Sequence, residues 1–252
     1  MDIVKSMFLG ILAIVAGCSV KEDREKCPCR LMLDFSGVDT SVVKSVKICA
    51  ESAAGLVFSD SLSAADFDRG YIRDIDKEFL QFSVWSGHAA GLQIPYGCEC
   101  PPLYMHCFEA DARGEEFREN VAMKKNHCRL TVLINGREDM PYSLTFRGNV
   151  DGYGSDGQPS DGMFSCVAYP DGEGGSQVVI PRQTDSSLLL DVEDKSVSIS
   201  RTFAVGEYIL ASGYDWAADQ LEDVTVVLDY YLTDMKIIYK GWDKEYIYDI
   251  IL

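Results

Sequence analysis

Cys128-Arg129-Leu130-Thr131-Val132-Leu133-Ile134 reads with a period of two: Cys128, Leu130, Val132 and Ile134 share one face. Such alternation marks a strand with one buried side, because successive side chains leave a strand on opposite faces. The head of this run, Cys128-Arg129-Leu130, repeats an earlier triplet, Cys29-Arg30-Leu31, which opens a series with Leu31, Leu33 and Phe35 on one face. Working outward, Val46, Ile48 and Ala50 alternate, as do Leu80, Phe82 and Val84, Tyr142, Leu144 and Phe146, and Phe164, Cys166 and Ala168. Leu188 to Leu190 and Val197 with Ile199 suggest two more strands. Val224, Val226, Leu228, Tyr230 and Leu232 form a further strand, with Met235, Ile237 and Tyr239 as its hairpin partner and Thr233-Asp234 at the turn. One short helix is expected between Phe203 and Ser212. The pattern predicts an all-β chain of two similar sandwich domains of about 100 residues each, with a boundary in the charged stretch 111–126, near Asn126.

Several stretches break the alternation. Ser63 to Asp74 reads as a loop or a short helical turn. Asn149 to Gly162 is dense in Gly and Asp and reads as a surface loop. A calcium loop of the EF-hand kind needs oxygen ligands at alternate positions and a Glu at the twelfth. Counted from Asn149, the fifth position is Tyr153 and the twelfth is Ser160, so that pattern fails.

The N-terminus carries a targeting signal. Asp2 and Lys5 lead into a short apolar run, and Val15-Ala16-Gly17 precede Cys18. This is the layout of a secretory signal peptide, too short for a transmembrane helix of about 20 residues. Small residues before a Cys resemble a bacterial lipobox, in which the Cys is lipidated and becomes the new N-terminus. Each buried methylene contributes about 0.8 kcal/mol, and stable anchoring takes more than one chain. Residues 1–17 are then the signal peptide, 18–26 a polar tether, 27–125 the first sandwich and 126–252 the second.

The net charge of -17 argues against nucleic acid as a partner. Of nine Cys, eight remain beside Cys18, and eight allow 105 disulfide connectivities, among which sequence cannot choose. Cys128 and Cys166 also fit as core thiols. Cys98, Cys100, His106 and Cys107 are the best metal-ligand candidates, but they lack the paired spacing of zinc knuckles. No metal or cofactor is expected. There is no Gly-x-Ser-x-Gly elbow and no His-Glu-x-x-His motif, His88, His106 and His127 are scattered, and no pair of acids stands out. The expectation is a protein without catalytic residues or a small-molecule substrate. A second reading, a surface glycan binder, would use Trp85, Trp216 and Trp242 as stacking platforms.

The lipobox at Cys18, the Glu22-Asp23 tether with Cys27-Pro28, Lys125-Asn126 before the second strand series, Gly213-Tyr214-Asp215-Trp216, the Asp223-Val224-Thr225-Val226 strand and the final Trp242 segment together resemble the FimB-like fimbrial anchor lipoproteins of Bacteroidales. The abundance of Cys departs from that pattern. The resemblance implies two tandem transthyretin-like, Greek-key β-sandwiches and an outer-membrane lipoprotein, surface-exposed, that ties the base of a fimbrium to the cell and limits its length. It also implies a fimbrial stalk subunit as partner, with strand exchange as the mode of contact. In the last segment, Trp242, Tyr246, Tyr248, Ile250 and Leu252 share one face, broken by Lys244, and are the candidates for strand contact. The alternatives are pairing of that strand within its own domain, and a stalk or tip subunit cleaved after Arg24 or Arg30, which would remove Cys18.

Overall fold

The computed structural model describes residues 27–86, 91–135, 142–170, 175–194, 199–229, 235–241 and 244–250. The signal sequence, Cys18, the tether, His88, Val197, the Thr233-Asp234 turn, Trp242 and Leu252 lie outside them.

The first set of strands is β1 (Cys29–Asp34), β2 (Ser45–Ser52), β3 (Gly55–Ser63), β4 (Tyr71–Ile75), β5 (Phe79–Trp85), β6 (Tyr104–Asp111), β7 (Glu116–Asn120) and β8 (Lys124–Lys125). They form a three-stranded sheet, β4-β1-β7, and a five-stranded sheet, β3-β2-β5-β6-β8. The alternation explains why the sheets face each other. Leu31 and Leu33 of β1 and Ile75 of β4 lie in one core with Ile48, Phe82 and Ala110 of the other sheet. An aromatic ladder ties the layers. Phe58, Phe82 and Phe108 follow one another at 6.0 and 4.9 Å, and Phe108 stacks on Phe117 of β7 at 5.9 Å.

Two stretches here depart from the sequence expectation. Ser63 to Asp74 holds the short helical turn that was expected, but it ends in a strand that was not. Ser63 caps a 3-10 helix, Ala64–Arg69, that buries Phe67, and β4 begins directly after it. The charged stretch 111–126 contains β7, which pairs parallel with β1. Its Glu116, Arg118 and Asn120 side chains face solvent, so hydrophobicity did not mark it.

The second set comprises β9 (His127–Asn135), β10 (Tyr142–Tyr153), β11 (Pro159–Pro170), β12 (Gly175–Pro181), β13 (Leu189–Asp194), β14 (Ile199–Phe203), the helix α1 (Val205–Ala211), β15 (Val224–Asp229), β16 (Met235–Gly241) and β17 (Lys244–Ile250). The sheet order is β14-β13-β10-β11-β12-β9-β15-β16-β17. β11 turns the sheet back on itself. It pairs with β10 from Pro159 to Ala168 but meets β12 only at Tyr169 and Pro170. Leu144, Phe146 and Leu190 on one arm therefore pack against Leu130, Val178 and Val226 on the other. Where the arms part, segment 93–100 fills the seam: Ile94 N donates to Asp151 O (2.7 Å), Gly97 N to Ser165 O (2.8 Å) and Cys100 N to Val179 O (3.0 Å). Ile94 and Cys100 thus belong to this second core, although they precede Asn126. The repeated triplet has a structural counterpart. β1 has an antiparallel neighbour (β4) and a parallel one (β7), and β9 likewise has β12 and β15.

Asn149 to Gly162 is also corrected. Most of it is strand, with register shifts around Val150, and Val150 and Tyr153 are buried. Only 154–158 turns. That tip lies on the outer face of the five-stranded sheet, where Gln81 Nε2 donates to Ser155 O (3.2 Å). Gly157 has φ of 80°, and a Cβ there would sit 3.0 Å from Cys107 Sγ. A β-branched residue is strained at positive φ. Gly157→Val is expected to cost about 1–3 kcal/mol, read as a lower denaturant midpoint, and an unchanged midpoint would contradict this packing.

Candidate functional site

β15 closes the second core, pairing parallel with β9 and antiparallel with β16. β16 and β17 extend the sheet beyond it as an antiparallel pair. Ile237 of β16 is fully buried and is the last described residue of the core. The register sets Tyr248 opposite Ile237, Tyr246 opposite Tyr239 and Ile250 opposite Met235. Tyr246, Tyr248 and Ile250 thus occupy alternate register positions along β17. Ile247 and Asp249 stand opposite Ile238 and Lys236 in the same register. β17 ends the strand order, and among the described residues no strand pairs with its outer edge. That edge offers backbone donors and acceptors to an added strand.

The start of β9, the end of β12 and the loop before β15 are held by one polar hub. Arg182 Nε donates to Asn126 Oδ1 (2.9 Å), its Nη2 to Lys125 O (3.2 Å), and its Nη1 to Ala218 O (2.8 Å) and Trp216 O. Tyr153, 2% exposed, donates its hydroxyl to Asn126 O and accepts from Arg182 N (2.9 Å). Burial pushes the Tyr153 phenol up and the Arg182 guanidinium down. Lys125 Nζ reaches Asp223 Oδ1 (2.7 Å), which also accepts from Arg129 N (3.0 Å). Burial works against the Asp223 carboxylate, but these partners hold it below its ordinary range. Sequence reasoning missed this hub because most of its acceptors are main-chain carbonyls, which carry no sequence signal.

Beside the hub lies a cleft of about 410 Å³ bordered by His106, Cys107, Lys124, Asp156, Arg182 and Asp219. Its charges are largely engaged. Lys124 pairs with Asp219 (2.7 Å), His106 Nε2 lies 3.1 Å from Glu119, and Arg182 holds carbonyls. Burial raises the Cys107 thiol to about 12, which keeps it protonated and poorly nucleophilic at neutral pH.

The candidate metal ligands are not brought together. Cys98 is exposed, Cys100 is in the second core, and His106 and Cys107 are neighbours in β6 and so leave it on opposite faces. Among the described residues no three His, Cys, Asp or Glu are gathered for a metal. All eight Cys beyond Cys18 are unpaired thiols, and Cys128 and Cys166 are core residues raised to about 12 by burial. The aromatic platform is corrected too: Trp85 and Trp216 are 5% and 6% exposed and inaccessible for stacking on a sugar.

His127 is buried with Nδ1 3.0 Å from Leu103 O, and burial lowers its pKa from 6.5. The unfolded chain therefore takes up this proton more readily than the folded one. The contribution to stability is complete above pH 6.5 and is lost as pH falls towards the lowered folded value. The denaturant midpoint is expected to fall between about pH 7.5 and about pH 6, and His127→Gln to flatten that step. A wild-type midpoint constant over this interval would contradict it.

No protein-family model and no curated protein matches the sequence. Solved structures do. A Bacteroides thetaiotaomicron protein provisionally named for polysaccharide binding superposes with a TM-score of 0.64 at 14% identity, covering 88% of this chain and 98% of its own. A provisionally named adhesin of Bacteroides ovatus gives 0.57 at 13% identity, with 91% and 97% covered. The fimbrial anchor protein Mfa2 of Porphyromonas gingivalis gives 0.57 at 13% identity, with 86% and 98% covered. The chain thus has the β-sandwich fold of Bacteroidales proteins that include a fimbrial anchor and a provisionally named adhesin.

Proposed function

We propose that this chain is a non-catalytic outer-membrane lipoprotein, held by lipid at Cys18, that anchors the base of a fimbrium through strand contact between β17 and the first stalk subunit. The observation that carries the reading is the outer edge of β17, at the end of a nine-stranded sheet and unpaired among the described residues. Backbone hydrogen bonds along such an edge supply affinity, and alternate side chains supply specificity. The fold shared with Mfa2, a fimbrial anchor by name, supports it. So do the lipobox residues Val15-Ala16-Gly17-Cys18. The tandem division at Asn126 is part of the same proposal, as is a role in limiting fimbria length.

The test is Cys18→Ala in the native host. The variant is expected to leave the outer-membrane fraction, and intact fimbriae to appear in the culture medium. Fimbriae retained on cells carrying only this variant would sink the anchoring role.

A further inference from the structure

The outer face of the five-stranded sheet carries an open groove of about 380 Å³, bordered by Glu51, Ala53, Phe79, Gln81, Glu109 and Ser155. The register explains how these residues meet. Glu51 of β2 stands opposite Gln81 of β5, and Gln81 stands opposite Glu109 of β6, so the three form one row across the sheet. Ala50, Leu80, Phe82 and Ala110 are their chain neighbours and lie in the first core, which puts the row on the outer face. Phe79, two residues before Gln81, shares that face and is 55% exposed. The 154–158 tip closes one side of the groove. Gln81 Nε2 donates to Phe82 O (3.1 Å), Phe108 O (3.2 Å) and Ser155 O (3.2 Å), so its amide nitrogen is spent within the protein and its carbonyl oxygen is what remains for a ligand. Among the described residues, Glu51 and Glu109 have no hydrogen-bond or ion-pair partner. Arg113 approaches the Phe79 ring at 4.9 Å, but its fork is held by both oxygens of Asp111 at 2.7 Å.

We propose that this groove docks an arginine side chain of a partner protein, against Phe79 and between Glu51 and Glu109. Neighbouring strands lie about 4.8 Å apart, so the two carboxylates stand about 10 Å apart across Gln81. Two carboxylates and an amide oxygen offer acceptors only, and the ligand must bring the donors. A guanidinium brings five in one plane, keeps its charge at any working pH, and is hydrated weakly enough to lie against an aromatic ring. An ammonium gathers three donors at one strongly hydrated point and spans the row less well. A metal ion is a poor occupant, because the carboxylates are too far apart to share one and no third ligand is gathered with them among the described residues. The chain's charge of -17 steers cations towards this face and disfavours a second copy of the chain as its occupant. The groove shares no residue with β17 and its test involves no fimbriae, so it stands or falls apart from the anchoring reading.

The experiment titrates the full-length protein in detergent with N-acetyl-arginine amide, followed by saturation-transfer NMR. Saturable binding with Kd on the order of 1 mM is expected at low salt, weakening several-fold in 0.5 M salt on the order expected from screening. Glu51→Gln and Glu109→Gln are each expected to keep the unfolding midpoint and to weaken binding by roughly three- to fivefold, and the double variant to abolish it. N-acetyl-citrulline amide, which has the same shape without the charge, should not bind, and that control needs no variant. Equal binding of the citrulline amide, or a double variant that binds like the wild type, would overturn the proposal, the latter by assigning the binding to scattered surface carboxylates. Saturable binding of methyl glucoside in place of the arginine amide would assign the groove to a sugar and overturn it as well.

Discussion

Arg182→Ala is expected to destabilise the protein by about 3–4 kcal/mol. The guanidinium makes four hydrogen bonds, three of them to main-chain carbonyls of Lys125, Trp216 and Ala218. Hydrogen bonds to a charged group contribute about 1.5–3 kcal/mol each. Arg182 is only half-buried, so water recovers part of that, and the expected total lies well below the sum. For a chain of this size the loss corresponds to roughly 6–15 °C in Tm. Arg182→Lys should recover little, because an ammonium cannot span acceptors that a planar fork reaches together. Tyr153→Phe removes the hydroxyl that joins Asn126 O to Arg182 N and should cost about 1–3 kcal/mol. Because the two side chains share one network, the double variant should cost less than the two single losses added. Denaturant titrations of the four proteins check this. A loss below about 1 kcal/mol for Arg182→Ala would mean that the hub does not hold β9, β12 and β15 together.

Deleting residues 244–250 is expected to leave a folded protein that no longer holds fimbriae. The second core ends at Ile237 among its described residues, so the sandwich closes without β17. The deletion removes the pairing with β16 and leaves that strand as the new edge. A drop of a few degrees in Tm with an unchanged β-type circular dichroism spectrum is the expected physical result. On cells, fimbriae should detach under shear that leaves the wild type decorated. Cells that hold fimbriae with the truncated protein would show that contact is made elsewhere.

Strands that bury one face are legible in the sequence. β1, β2, β5, β9 and β15 all alternate, and β15 pairs with β16 as their alternation suggested. β4 and β7 were hidden for one reason. Each is a short edge strand on one side of β1, and residues such as Asp74, Glu116 and Arg118 face water, so charge masked the period. The Gly-rich stretch after Phe146 misled in the opposite way. Glycine and aspartate there accommodate shifted register and close approach to segment 93–100, with Gly152 bridged to Gln93. The hub at Arg182 was invisible because its partners are carbonyls from distant positions. The outer edge of β17 became legible only from the strand order, since alternation alone cannot say which side of a strand is paired.

The most direct measurement is a pull-down of the tagged native protein from outer-membrane extract, with mass spectrometry of the co-purifying proteins. A ladder of fimbrial subunits that survives high salt is the expected result, because contact through backbone hydrogen bonds and apolar pockets resists the screening that dissolves charge pairing. Recovery of the protein alone, or with components of glycan uptake, would contradict anchoring through β17.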